Sequence, residues 1–213
     1  MTQPVTPPMT PPVTRVLIAE DQAMMRDALA VLLDLEDDFE VVAQVASGDE
    51  ILPAALRTKP GVALLDIEMP GGGGLDATAG LRAALPSCAV VIVTTFGRPG
   101  YLRRALDAGA RGFVVKDRPV GELAQAIRRV LAGEVVVDPA LAAAALSAGP
   151  SPLTPREREV LVAAADGSTA ADISRRLHLS ESTVRNHLSS CIAKTGTRNR
   201  MEAVRAARHS GWL

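Results

Sequence analysis

Asp66 ends an apolar run, Val62-Ala63-Leu64-Leu65, and is followed by Ile67-Glu68-Met69-Pro70. Three more apolar runs end on reactive residues. Val16-Leu17-Ile18-Ala19 leads into Glu20-Asp21, Val90-Val91-Ile92-Val93 into Thr94-Thr95, and Gly112-Phe113-Val114-Val115 into Lys116. Brought together, three carboxylates, a hydroxyl and an ammonium have a defined chemistry. Mg²⁺ prefers hard oxygen ligands, takes one or two carboxylates directly and keeps several waters. Beside such an ion, the Asp66 carboxylate is a nucleophile toward a phosphoryl donor. Phosphoryl transfer rests mostly on positioning and charge neutralisation, here by the metal and Lys116. Thr94 would hydrogen-bond a phosphoryl oxygen. Only Lys59, Lys116 and Lys194 are lysines, against twenty arginines. A compact ammonium at position 116 is therefore conspicuous, because a planar guanidinium does not replace it in a tight phosphate site.

This chemistry requires four chain segments to end in one place. Short apolar runs separated by helix-like segments read as buried parallel strands. In such sheets the reactive groups gather at the carboxyl ends of the strands. Strands are expected near 15–19, 40–45, 61–65, 89–93 and 112–115. Helices are expected at Gln22–Leu35, Gly48–Thr58, Leu75–Leu85, Arg98–Ala108 and Val120–Ala132. The alternation predicts an α/β fold with a five-stranded parallel, doubly wound, flavodoxin-like sheet covered on both faces. Each residue alone has a plainer role: Glu20-Asp21 can cap the next helix, Thr94 can sit in a turn, and Lys116 can be solvated. Those roles would have to hold at all four strand ends at once, which favours a shared site. The run Gly71-Gly72-Gly73-Gly74 invites a nucleotide-binding reading. A dinucleotide fingerprint, however, opens a helix as G-x-G-x-x-G directly after a strand, and here the run follows Asp-Ile-Glu-Met-Pro. The loop is expected to be mobile, since glycine loses most entropy on ordering.

The chain has 213 residues, 47% hydrophobic and 22% charged, with a formal net charge of −1. That length suits one large domain or two small ones. No apolar stretch is long enough to span a bilayer. The first residues lack a basic segment followed by an apolar core, so no signal peptide is expected and a cytoplasmic protein is. Cys88 and Cys191 lie far apart, which argues against a disulfide framework. From Ser151 onward there are ten Lys+Arg and six Asp+Glu; the remainder has thirteen and eighteen. An acidic part joined to a basic part points to a module that meets a polyanion.

Residues 15–132 resemble the receiver domain of two-component response regulators. The resemblance is carried by Glu20-Asp21, by Asp66 with Met69-Pro70 and Gly74, by Thr94, and by Lys116 after Gly112-Phe113-Val114-Val115. It implies that Asp66 accepts phosphate from a sensor histidine kinase. It also implies that the backbone carbonyl of Glu68 completes a Mg²⁺ shell formed with Glu20, Asp21 and Asp66, and that Thr94 and Phe113 move together as a switch. Glu20 stands where many receivers have Asp.

The rest of the chain is organised around a proline-rich leader, a junction and a helical module. Residues 1–14 carry Pro4, Pro7, Pro8, Pro11 and Pro12 and are expected to be disordered. Residues 133–152 form a linker in which Asp138-Pro139 starts a short helix through Leu146, ended by Gly149-Pro150-Ser151-Pro152. Beyond it, Thr154-Pro155-Arg156-Glu157 is a capping box with Pro at the first helical position. Thr169-Ala170-Ala171-Asp172 is a weaker box, and Ser180 caps a third helix. A fourth covers Arg200–His209. A helix, a turn and a second helix with nearby arginines fit a helix-turn-helix DNA reader whose second helix enters the major groove. On that helix Val184, Leu188, Cys191 and Ile192 should face the core, while Arg185 and Asn186 suit guanine and adenine edges, and Arg185, Ser189 and Ser182 recur at helical spacing on one face. Ser182, Thr183, His187, Lys194 and Arg198 are suited to phosphates.

Residues 153–213 resemble the LuxR-type four-helix DNA-binding domain. The resemblance lies in Leu153-Thr154-Pro155-Arg156-Glu157, Ile173, Leu177, Leu179-Ser180, Thr183-Val184, His187, Lys194-Thr195-Gly196, Asn199-Arg200, Ala203 and Gly211. Ala170 and Ser174 depart from the family's usual Asn and Ala. Together the two modules resemble the NarL/FixJ class of response regulator. That implies double-stranded DNA as a partner and a homodimer when phosphorylated. It implies no enzymatic activity beyond Mg²⁺-dependent self-phosphorylation and autodephosphorylation at Asp66. Two other functions compete. A haloacid-dehalogenase-type phosphatase wants Asp two residues beyond its nucleophile, after its first strand, whereas Glu68 follows Asp66 on the third. A regulator answering a ligand instead of phosphate would not need all four elements of the site.

Overall fold

The computed structural model describes residues 13–95, 97–117, 119–147 and 151–213. Most of the proline-rich leader, and Gly149-Pro150 of the junction, lie outside the described residues. Two compact units are present: residues up to 96 with Ala105–Val137, and Gly97–Arg104 with Asp138–Leu213.

The first unit is built on six parallel strands: β1 (Thr14–Ala19), β2 (Phe39–Val45), β3 (Val62–Leu65), β4 (Ala89–Thr94), β5 (Gly112–Val115) and β6 (Val136–Val137), in the order β2-β1-β3-β4-β5-β6. The connecting helices are α1 (Ala23–Asp34), α2 (Gly48–Thr58), α3 (Gly74–Ala84), α4 (Pro99–Asp107), whose residues are divided between the two units, and α5 (Val120–Leu131). All four residues of β3, and the last four of β1, are buried. This is the signature of strands covered on both faces, which read as continuous apolar runs because no position faces water. Alternate residues Val16, Ile18, Val62, Leu64, Val91, Val93 and Val114 share one core with Leu29, Ala30 and Leu33 of α1 and Leu123, Ala124, Ile127 and Val130 of α5. Burying one such Leu, Ile or Val side chain is worth about 1.5–3 kcal/mol.

Two details differ from the sequence expectation. Thr14, assigned to the leader, opens β1 opposite Phe39 and donates its N–H to the Asp38 carbonyl at 2.8 Å. Among the described residues the sheet has six strands, not five. After α5, Gly133 takes φ +93° and turns the chain. Val136 N–H then donates to the Arg111 carbonyl at 2.8 Å, and Val136 and Val137 pair with Gly112 and Phe113. A strand of two residues is too short to show an alternating pattern, and it falls inside the expected linker.

The glycine run is docked against α2. Gly48 N–H donates to the Pro70 carbonyl at 2.8 Å, and a Cβ on Gly48 would lie 1.5 Å from the Gly72 carbonyl oxygen. Gly71, at φ +71°, sits against Asp49, whose carboxylate leaves no room for a side chain.

The second unit contains α6 (Pro139–Ser147), α7 (Pro155–Ala163), α8 (Ala170–Leu177), α9 (Glu181–Thr195) and α10 (Arg200–His209). Asp138 accepts from Ala140 N–H at 2.8 Å and so starts α6. Thr154/Glu157 and Thr169/Asp172 both form reciprocal capping boxes, and Ser180 and Asn199 cap α9 and α10. Such a cap is worth about 1 kcal/mol, because it satisfies N–H groups that a helix start leaves unpaired. Val160, Leu161, Ile173, Val184, Leu188, Cys191, Ala203 and Val204 form one core. Both cysteines are free and buried, and burial pushes each thiol up to about 11.

One buried carboxylate ties α7 to α9. Glu157 accepts from Thr154 N–H at 2.7 Å, from Ser190 Oγ at 2.6 Å and from Lys194 Nζ at 2.7 Å. Burial opposes its ionisation, but the bonds from Lys194, Ser190 and Thr154 prevail and bring its pKa down from 4.5 to about 2.

Two tests follow from this packing. Gly48→Ala should destabilise by about 1–3 kcal/mol, because a backbone carbonyl must move to admit the methyl group. Gly80→Ala, mid-α3 with nothing within 4 Å of the added Cβ, should stabilise by about 0.5–1 kcal/mol. Denaturant melts of both variants check the pair; equal effects would contradict the docked loop. For Glu157, a carboxylate with a depressed folded-state pKa contributes stability above 4.5 that is lost as pH falls toward 2. Glu157→Gln should therefore be less stable than wild type near neutrality, with the gap closing across that acid window. Asp166, Asp172 and Glu202 are also depressed but are common to both proteins, so they cancel. A gap that does not change with pH would refute the assignment.

Candidate functional site

The ladder register assembles the acidic site. Ala19 pairs with Leu65, so Glu20 and Asp66 leave β1 and β3 side by side. Thr94 pairs with Val115, and Lys116 N–H donates to the Thr94 carbonyl at 2.8 Å. Asp66 N–H donates to the Ala19 carbonyl at 2.9 Å, fixing the Asp66 backbone to the neighbouring strand end.

Glu20 and Asp66 are buried and Asp21 is exposed, yet each offers an oxygen within 4.8 Å of the others. Lys116 Nζ lies 2.5 Å from Glu20 Oε2 and 2.9 Å from Asp66 Oδ2. Desolvation works against the Lys116 charge, but bonding to Glu20 and Asp66 outweighs it and raises the ammonium pKa. The other Asp66 oxygen, Oδ1, accepts from Ile67 N–H at 2.7 Å. Three hard carboxylate donors, one of them open to solvent, fit a divalent ion that retains water. Thr94 is buried at the end of β4 and Phe113 is buried in β5. Glu68 lies exposed in the loop after β3, and its side chain is outside the acidic cluster.

A contributor to this site was not foreseen. Arg26, on α1, donates to the Glu20 carbonyl at 2.6 Å and so holds the backbone that carries the Glu20-Asp21 pair. Its only sequence signal is a cation in the helix that follows two acidic residues.

The second unit presents α9 as a two-sided helix. Val184, Leu188 and Cys191 are buried and Ile192 is half-buried, as their spacing predicts. Ser182, Arg185, Asn186 and Ser189 are exposed, and Thr183 and His187 are half-buried. Arg185 forms an ion pair with Glu181 one turn earlier, and Arg198 forms one with Glu202 at 2.9 Å. Lys194, grouped by sequence with the phosphate contacts, is engaged by Glu157. The turn between α8 and α9 is closed by His178, at φ +52°, and by Ser174 Oγ, which donates to the Leu179 carbonyl at 2.6 Å. The Ser174 hydroxyl therefore has a partner near the core. Among the described residues no helix is long and apolar enough to cross a membrane.

Comparison with known proteins agrees with both halves. Residues 16–128 match the response regulator receiver domain, and residues 151–207 match the bacterial regulatory proteins of the luxR family. The transcriptional regulatory protein YvfU of Bacillus subtilis is 44% identical over 93% of this chain and 99% of its own. The transcriptional regulatory protein DesR of the same organism is 42% identical over 93% and 98%. The crystal structure of the response regulator ChrA, from a heme-sensing two-component system, is 31% identical with a TM-score of 0.55, covering 94% of this chain and 99% of that one. With a receiver and a LuxR-type DNA-binding domain in one chain, the protein belongs to the response regulators of two-component systems and is a transcriptional regulator.

Proposed function

We propose that Asp66 is the phosphoacceptor and that its phosphorylation controls DNA binding by the helical domain. The observation that carries this is the gathering of Glu20, Asp21, Asp66 and Lys116 at the strand ends, with two carboxylates shared by one ammonium. Glu20, Asp21 and Asp66, with the backbone carbonyl of Glu68, would hold Mg²⁺. Bound there, the ion supplies charge neutralisation to the incoming phosphoryl group. The donor is a phosphohistidine of a sensor kinase. An Asp66 carboxylate oxygen forms the new P–O bond as the donor's P–N bond breaks and the imidazole leaves. Lys116 has three protons, so it can keep Glu20 and turn one bond from Asp66 to a phosphoryl oxygen. Thr94 donates its hydroxyl to another oxygen, and its movement, with that of Phe113, passes the change on. Attack of water on the phosphoryl group resets the site; beyond this the protein is not an enzyme.

In the same reading, residues 15–132 are the receiver, 133–152 the junction and 153–213 the DNA-binding domain. α9 enters the major groove of double-stranded DNA. Arg185 and Asn186 read bases next to Ser189, while Ser182, Thr183, His187 and Arg198 grip phosphates. The Arg185–Glu181 and Arg198–Glu202 pairs lie at the surface. Such pairs are worth about 0–1 kcal/mol, so DNA can displace the carboxylate at little cost. Phosphorylation makes a homodimer, which presents two reading helices and raises avidity by effective concentration. The protein works in the cytoplasm.

Incubation with acetyl phosphate and Mg²⁺ should add one phosphoryl group to the wild-type intact mass and none to Asp66→Asn. Equal uptake by Asp66→Asn would exclude Asp66. Arg185→Ala should cost about 1–3 kcal/mol on selected duplexes and relax the sequence logo at one position. An unchanged logo would exclude Arg185 as a base reader.

A further inference from the structure

We propose that Lys194 is a positioning residue for α9 and not a phosphate grip: acting with Ser190 through Glu157, it sets the rotation and depth at which α9 is presented. The proposal rests on the reading of α9 as the DNA-reading helix. Three observations carry it.

The first is direction. Lys194 lies nine residues after Arg185, which is about two and a half turns at 3.6 residues per turn. Their side chains therefore leave opposite sides of α9. A helix that puts Arg185 into a groove directs Lys194, whose side chain is 35% exposed, away from that groove and onto Glu157. The second is partnership. Ser190 and Lys194 are four apart and share a face. Both end on Glu157, Ser190 Oγ on Oε1 at 2.6 Å and Lys194 Nζ on Oε2 at 2.7 Å. Cys191, between them, directs its thiol to the Glu157 carbonyl at 3.5 Å. The third is anchorage. Glu157 is not free to follow α9, because Oε2 also accepts from Thr154 N–H and its own N–H donates to Thr154 Oγ1. A carboxylate 5% exposed is thus fixed to the first turn of α7 and holds α9 at two points one turn apart. Base reading needs placement within about 0.5 Å and 10–20°. An anchor of this kind supplies that, whereas a phosphate contact would draw Lys194 away and leave the buried Glu157 without its counter-charge.

The test uses the full chain, with a duplex selected from a random library as probe. Affinity is titrated across a series of salt concentrations for wild type, Lys194→Met, Glu157→Gln, the double variant and Arg185→Ala. Lys194→Met should bind about tenfold more weakly with the wild-type dependence of log affinity on log salt. The double variant should recover most of that loss: an uncharged amide at position 157 needs no ammonium, and the Ser190 hydroxyl can turn to accept from it. A salt slope smaller by about one unit in Lys194→Met, the mark of a lost phosphate contact, would overturn the proposal. So would the absence of recovery. If circular dichroism shows that Lys194→Met does not fold, the double variant, which buries no orphan charge, carries the slope measurement and decides alone. Arg185→Ala keeps the premise separate. A relaxed logo there with a lost slope at Lys194 rejects this proposal only; an unchanged logo rejects the α9 reading and the proposal with it.

Discussion

Lys116 Nζ stands 2.5 Å from one buried carboxylate and 2.9 Å from another, and the first unit is arranged around that contact. Two carboxylates within 4.8 Å of each other repel by roughly 3 kcal/mol at an effective dielectric of about 20. Parallel strands force them together anyway, because β1 and β3 are adjacent in register and their next residues are Glu20 and Asp66. β5 must then end at a residue that compensates them. It does so two strands away, reached by the ladder from β3 through β4. The sheet order, the strand lengths and the identity of residue 116 are one constraint. Shortening β5 by one residue would turn the ammonium to the other face.

The second unit applies the same physics for another purpose. Breaking a buried ion pair by removing one partner costs about 3–5 kcal/mol, since the survivor is left without compensation. Exposed pairs cost almost nothing to break. Three cations of this unit differ in how they stand to those limits. Arg185 and Arg198 are held by carboxylates in water, one turn away in the chain, and are available to a polyanion. Lys194, its side chain 35% exposed, is held by a carboxylate only 7% exposed, so its pair lies between those limits.

The sequence made the central strands legible because strands covered on both faces carry no polar positions, and three of the four runs break at residues that the fold brings together in one cluster. Helix starts were legible for a similar reason: Thr154, Thr169 and Ser180 are capping residues whose partners lie three positions on. Three kinds of feature were not. β6 has two residues and no periodicity. The glycine run signalled flexibility, but the close approach of Gly48 to Gly72 is a property of two segments far apart in the chain. The partner of Lys194 lies 37 positions away on another helix, and the chain at 194 looks the same whether its cation faces DNA or Glu157. Local chemistry was readable; pairings set by tertiary contact were not, except where the fold class itself dictates which strand ends meet.

Charge counting links the acidic site to the proposed switch. Within the cluster, three carboxylates against one ammonium leave a negative excess, so the crevice suits a divalent cation and disfavours an unaccompanied phosphate. A phosphoryl group on Asp66 replaces its single negative charge by about two. Even a metal-filled site would then carry a negative excess. The groups able to answer it are the protons on Lys116, the Ile67 N–H directed at Asp66 Oδ1 at 2.7 Å, and the Thr94 hydroxyl. Lys116 and Ile67 already point at Asp66, so they can follow its oxygens with little motion. Thr94 belongs to the neighbouring strand, and in the proposed switch its hydroxyl would meet a phosphoryl oxygen. It is buried at the end of β4, beside the strand that carries the buried Phe113. A close-packed interior does not let one side chain turn without its neighbours repacking. On this reading, a local charge imbalance becomes a conformational signal because one of the donors that would meet it is set in the core.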